Sequence, residues 1–203
     1  MELVRSFLYN HEMSRTDSSG MNAITFLIAL NILAFVFRIL RPELIYTLGL
    51  TPALVVEQPW TLVTSMFMHA SFTHILFNMI SLFFLGGFFL RLVGEGDFLK
   101  VYFIGGLVGG LLYVLLGPAM IPGVGASGAI FAIGGALAIM APKLPVIVFP
   151  LPVPVPLWGA MTFFLLIGFV ISGIAWQAHL GGFLFGLAAG AYFNKRRQRP
   201  AYY

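Results

Sequence analysis

The chain has 203 residues, of which 60% are hydrophobic and only 9% charged, a balance that cannot give a domain of this size a hydrated surface. Its 23 glycines suit closely packed membrane helices, and the absence of cysteine excludes disulfides, a thiol nucleophile and a cysteine metal site. The net charge of +4 does not point to nucleic acid, because the basic residues are scattered between apolar spans or gathered from Lys195 to Arg199, with no basic patch interleaved with aromatics.

The first apolar run, Ala23 to Phe37, follows a mixed-charge tail and shows no small-residue cleavage pattern, so it is expected to be a retained helix. The connector from Arg38 to Met68 carries Pro42, Pro52 and Pro59 and is too polar to span; short interfacial helices are expected there. A second span runs from Phe72 to Leu90. Between Lys100 and Lys143 no residue is charged, and the segment Gly117 to Gly125 parts this stretch into a third and a fourth helix. Charge is again absent from Leu144 to Asn194, but Pro145, Pro150, Pro152, Pro154 and Pro156 forbid a helix at its start. The fifth span is placed from Leu157 to about Ile171, and the sixth from near His179, after a turn over Ile174 to Gln177.

Each span is close to the ~20 residues that cross a ~30 Å hydrocarbon core, the fourth being somewhat short. The expected fold is an all-α, six-transmembrane-helix bundle with an interfacial first loop. Residues 1–20 form a short cytoplasmic tail, 21–194 the membrane domain and 195–203 a basic cytoplasmic tail. An even number of spans puts both tails on one side, together with Arg5, Arg15, Arg91, Lys100, Lys143 and the Lys195 to Arg199 cluster, against only Arg38 and Arg41 opposite. By the positive-inside rule that side is cytoplasmic.

No carboxylate falls inside an expected span, which excludes a paired-aspartate intramembrane protease and a carboxylate-driven proton transporter; no His-Glu-x-x-His zinc site exists either. Among the polar residues left in the apolar regions, His69, His74, Asn78, Ser127 and His179 stand out. Ser127 lies in Gly125-Ala126-Ser127-Gly128, at the junction of a glycine-rich loop and the fourth helix. Alone, this tetrapeptide reads as helix packing. At a helix N-terminus, however, free backbone N–H groups stand ready to hold an oxyanion formed when the hydroxyl attacks a carbonyl. His179 is followed by Gly182, Gly186 and Gly190 on one helix face, which allows close approach to a small face on the fourth helix around Gly128, Gly134 and Gly135. That contact would bring His179 to Ser127. A lone histidine here would otherwise read as a buried residue bonded to a carbonyl. His74 and Asn78, four apart on the second span, read either as polar glue between helices or as hydrogen-bond donors to an oxyanion.

Three segments taken together make the sequence resemble the rhomboids, a family of intramembrane serine proteases. They are His69-x4-His74-x3-Asn78, Gly125-x-Ser127-Gly128, and Ala178-His179-x2-Gly182-x3-Gly186, within about Trp60 to Gly190. The resemblance implies that Ser127 is the nucleophile and His179 the general base of a dyad without an acidic third member. It implies that His74, Asn78 and the Ser127 backbone N–H hold the oxyanion and that His69, Gly125, Gly128, Gly182 and Gly186 support them. Phe131 falls where the family often has a tyrosine stacked on the histidine. Trp60-Thr61 stands where many rhomboids have Trp-Arg, and Phe88 to Leu90 lacks a glutamate often found near the end of the second helix. The implied partners are transmembrane protein substrates and the lipid bilayer, with no metal or organic cofactor and no nucleic acid. The implied location is a prokaryotic inner membrane. The competing reading is an inactive rhomboid-like protein that binds membrane clients; such a protein should lack the serine or the histidine, and this chain keeps both.

Overall fold

The computed structural model describes residues 17–148, 153–171 and 173–197. Most of the N-terminal tail, Pro150, Pro152 and the tail beyond Arg197, with Arg199, lie outside the described residues. The first apolar run becomes α1 (Asp17–Leu40), which continues until Arg41 precedes Pro42, a position where helical backbone is disfavoured. The connector then folds into short pieces, as expected: α2 (Leu44–Leu48), a 3-10 turn (Pro52–Leu54), α3 (Thr61–Thr64) and a second 3-10 turn (Ser65–Phe67). Side chains tie them together. The Trp60 indole N–H donates to the Thr47 carbonyl at 2.9 Å, and the Thr64 hydroxyl to that of Leu48 at 2.7 Å. Thr61, buried at the position where many rhomboids carry arginine, donates to the Gln58 carbonyl at 2.6 Å.

Helix α4 spans Phe72–Val93 and starts on Ser71, whose hydroxyl accepts from the His74 N–H at 3.2 Å, a cap that fixes where the helix begins. A single π turn, Leu82–Gly86, interrupts it. Gly94, at φ +84°, breaks the chain direction before α5 (Glu95–Leu116), whose first turn carries Glu95 and Asp97, favourable at the positive end of a helix dipole. Near the end of α4, Phe89 is buried edge-on against Phe193, so an aromatic contact fills the region where the family's glutamate is missing.

Helix α6 (Ser127–Met140) is central, and every residue from Gly128 to Leu137 is buried, as befits a helix apolar on all sides. The loop that follows departs from the all-α expectation. Pro145–Ile147 (β1) and Pro154–Pro156 (β2) pair antiparallel about Val146 and Val155, and the Leu157 N–H closes the ribbon on the Leu144 carbonyl at 2.8 Å. Prolines forbid helix here but are tolerated in a two-stranded ribbon, where both strands are edges. The chain continues with α7 (Leu157–Val170) and α8 (Trp176–Arg197). The last helix therefore begins before His179 and takes in Gln177, which the sequence reading had put in a turn.

The protein is thus an almost wholly helical membrane protein. Helices α1, α4 and α5 are long and apolar enough to cross a bilayer. Helices α6 and α7 are equally apolar but 14 residues each, and at ~1.5 Å per residue they reach only ~21 Å of a ~30 Å core.

Candidate active site

Gly125 sets up the loop before α6. It lies at φ +122°, a backbone conformation that side chains disfavour, and its N–H is held by the Ser65 carbonyl at 2.9 Å. A Cβ there would sit 2.7 Å from His74 Nε2, so only glycine lets the imidazole come in beside Ser127. Two further bonds, between Leu50 and Gly123 at 2.9 and 2.8 Å, strap the connector to this loop. Ser127 is therefore the first residue of a helix whose entry is fixed from two sides, and its N–H, in the first turn, has no intrahelical acceptor.

His179 comes from the opposite end of the sequence. Helix α8 lies against α6 along its glycines, where backbone meets backbone. A Cβ on Gly182 would overlap the Gly128 carbonyl, and one on Gly186 the Ala132 carbonyl. The expected glycine contact is present for Gly128 and Gly135. Gly134 is different: it faces Met161 on α7, because helical rotation turns adjacent residues by about 100°. With the backbones in contact, His179 Nε2 stands 2.8 Å from Ser127 Oγ, a hydrogen bond joining positions 52 residues apart. Phe131, one turn after Ser127, stacks on the imidazole with ring centroids 4.3 Å apart. Both Ser127 and His179 remain half-buried rather than sealed. His179 Nδ1 has no hydrogen-bond partner among the described residues, and its side of the ring faces Gly168 of α7.

The remaining expected site residues lie around this pair. His74 and Asn78 share one face of α4, and Asn78 Nδ2 donates to the His74 carbonyl at 2.8 Å, leaving its second N–H for another acceptor. His69 is fully buried and meets His74 edge to face, with centroids 4.9 Å apart. Neither nitrogen of His69 has a partner of good hydrogen-bond geometry among the described residues, although the Phe67 backbone bears on the ring. Burial first, and the neighbouring His74 second, hold its pKa down to about 3, so the ring is neutral at physiological pH.

Comparison with known proteins gives the arrangement its context: the family model for the rhomboid domain matches residues 56–196, which include every residue of this cluster. The chain belongs to the rhomboid family. It is 30% identical over 156 residues to "Rhomboid protein 1, mitochondrial" of Saccharomyces cerevisiae, covering 68% of this chain and 44% of that one. It is 40% identical over 81 residues to the putative rhomboid protease YdcA of Bacillus subtilis, covering 40% and 41%. The rhomboid protease GluP of the same organism is 32% identical over 132 residues, covering 65% of this chain and 25% of that protein. The chain spans about half the length, or less, of these relatives.

One polar residue near the cluster escaped the sequence reading. Gln177 is buried two positions before His179, and its amide reaches across to the Leu116 carbonyl at 3.0 Å. A solitary amide in a charge-free apolar stretch was the available signal.

Proposed function

We propose that this rhomboid is an intramembrane serine endopeptidase that hydrolyses peptide bonds in or near the transmembrane segments of other membrane proteins. The observation that carries the reading is the 2.8 Å contact between His179 Nε2 and Ser127 Oγ inside a rhomboid domain. His179 takes the Ser127 proton as the oxygen attacks the scissile carbonyl, then delivers it to the leaving amine. Water, activated in turn by His179, releases the acyl group from Ser127. The negative oxygen of each tetrahedral intermediate is held by the Ser127 N–H and by His74 and Asn78. No carboxylate takes part: the dyad works with the proton on Nδ1 and the lone pair on Nε2.

In this reading the bundle has six spans, with α6, α7 and α8 completing those that α1, α4 and α5 provide, and both tails are cytoplasmic. Residues 1–20 and 195–203 are the tails and 21–194 the protease domain of a multi-pass protein of the prokaryotic inner membrane. With α6 shorter than the membrane is thick, Ser127 lies several ångströms below the outer boundary, where water enters from outside. The substrate is a transmembrane protein whose helix unwinds near that surface, since a carbonyl held in an intact helix is poorly presented for attack. The test is labelling with a fluorophosphonate, followed by mapping of the modified residue. Modification of Ser127 in the wild type, lost in His179→Ala, supports the mechanism; no modification of Ser127 in folded protein refutes it.

A further inference from the structure

We propose that Gln177 is a positioning residue: its amide, by bonding the carbonyl at the end of α5, fixes the rotation and height of α8 and so holds His179 at Ser127. The inference rests on the serine-protease reading above and concerns what aligns its base.

Among the described residues no carboxylate orients the imidazole. Its Nδ1 is unpartnered among the described residues, so the ring is placed by Ser127, by the stacked Phe131 and by the helix that carries it. That helix meets α6 along Gly182, Gly186 and Gly190, which lie against the carbonyls of Gly128, Ala132 and Ala136. Bare backbone on bare backbone permits the closest approach, but the glycine line itself carries no interlocking side chain; Phe185 and Phe193 of α8 lie off that line, against Gly105 of α5 and Phe89 of α4. Buried polar residues are what fix register in such interfaces.

Helix α8 has such a residue at the end that matters. Gln177 is 6% exposed, and its Nε2 donates to the Leu116 carbonyl at 3.0 Å, a bond between residues 61 apart. Leu116 is the last residue of α5, and its carbonyl is among those that a helix end leaves without an internal donor. The bond therefore satisfies an orphaned acceptor from a buried donor and ties the first turn of α8 to the end of α5. The same turn is seated on α5 by glycines: a Cβ on Gly181 would lie 2.9 Å from the Val108 carbonyl, and one on Gly109 would lie 2.6 Å from that of Ala178. At the far end of the helix, Asn194 makes the corresponding tie to the Ile139 carbonyl, longer at 3.2 Å and exposed.

The experiment uses the full chain and compares Gln177→Met, Gln177→Glu and Asn194→Ala with the wild type, measuring kcat and KM on a model transmembrane substrate, fluorophosphonate labelling, and thermal stability. Methionine keeps the length of the side chain but cannot donate. Because displacing a catalytic group by ~1 Å costs up to ~100-fold, Gln177→Met is expected to lower kcat by ~10- to 100-fold with KM within ~2-fold, and Asn194→Ala to stay near wild type. Glutamic acid donates to the carbonyl only when neutral, and its carboxylate repels it; the activity of Gln177→Glu relative to wild type therefore rises as the pH is lowered from neutral. Burying a carboxylate is costly in any case, so the comparison is made at low pH: neutral Gln177→Glu recovers activity that Gln177→Met does not, whereas a role in packing alone leaves Gln177→Met, of equal length, at wild-type kcat. Wild-type kcat in Gln177→Met, or equal impairment of both variants across the pH range, overturns the proposal. If Gln177→Met fails to fold, the pH series of Gln177→Glu decides. Failure of the wild type to label at Ser127 would instead overturn the protease reading, which keeps the two conclusions separable.

Discussion

The ring of Phe131 lies flat on the imidazole of His179, with planes inclined by 14° and centroids 4.3 Å apart. Ser127 and Phe131 are one turn apart on α6, so one helix supplies both the hydroxyl bonded to the imidazole and the surface on which it rests. An aromatic pair of this kind contributes about 0.5–1.5 kcal/mol, and in the proposed mechanism a π face favours the cationic ring formed during attack. Phe131→Leu keeps the bulk and removes the face. Its kcat is expected to fall ~2- to 12-fold, the equivalent of that energy range, with a modest fall in melting temperature because Phe131 is buried in the core. Steady-state cleavage of a model substrate measures this, and an unchanged kcat would mean that the stack does not support the base.

The oxyanion assignment makes a larger prediction. Asn78 has one N–H committed to the His74 carbonyl and one available, and His74 Nε2 approaches the space over Gly125 beside Ser127. Removing a single such donor costs ~10²- to 10³-fold in kcat in soluble serine proteases. Asn78→Ala and His74→Ala should each lower turnover by about that much, with residual activity from the Ser127 N–H. Wild-type rates in the double variant would remove both side chains from the mechanism.

The seam between α6 and α8 leaves no room for even a methyl group at Gly186, whose Cβ would overlap the Ala132 carbonyl. Gly186→Leu leaves every proposed catalytic group intact but forces the helices apart; overpacking of this kind costs ~1–3 kcal/mol, and the displaced base costs up to ~10²-fold in rate. Thermal stability and activity should fall together. Leu184→Ala, on the exposed side of the same helix, should retain far more of both because lipid fills the space.

Orientation is open to direct chemistry, since the chain has no cysteine. Single cysteines at Ser18 and Ala201 should resist an impermeant thiol reagent in intact cells, and one at Met120, exposed in the loop between α5 and α6, should react. The reverse pattern would turn the protein over in the membrane.

Much of this architecture is legible in the sequence because lipid imposes simple rules. Gaps in charge mark the membrane-facing stretches, and prolines mark where helices stop. The spacing of Gly182, Gly186 and Gly190 announces a face of close contact before its partner is known. What lies beyond such rules is rotation and local pairing. The partner of Gly134 proved to be Met161 on α7, because that depends on a single step around a helix. The ribbon of Pro145–Ile147 and Pro154–Pro156 was invisible because proline argues against both regular structures, and only the pairing of two edges resolves the choice. The tie of Gln177 to Leu116 spans 61 residues and ends on a backbone carbonyl, which leaves no trace in a side-chain pattern. The cluster itself was readable through its resemblance to a family. The 2.8 Å separation of Ser127 and His179 is a property of the packed bundle.

The central claim is that Ser127 cuts membrane proteins, and the most direct measurement is cleavage of a model transmembrane substrate by purified wild-type and Ser127→Ala protein reconstituted in lipid vesicles. The wild type is expected to give a defined cut and the folded variant none. Cleavage at an undiminished rate by Ser127→Ala, in a preparation free of contaminating protease, would contradict it.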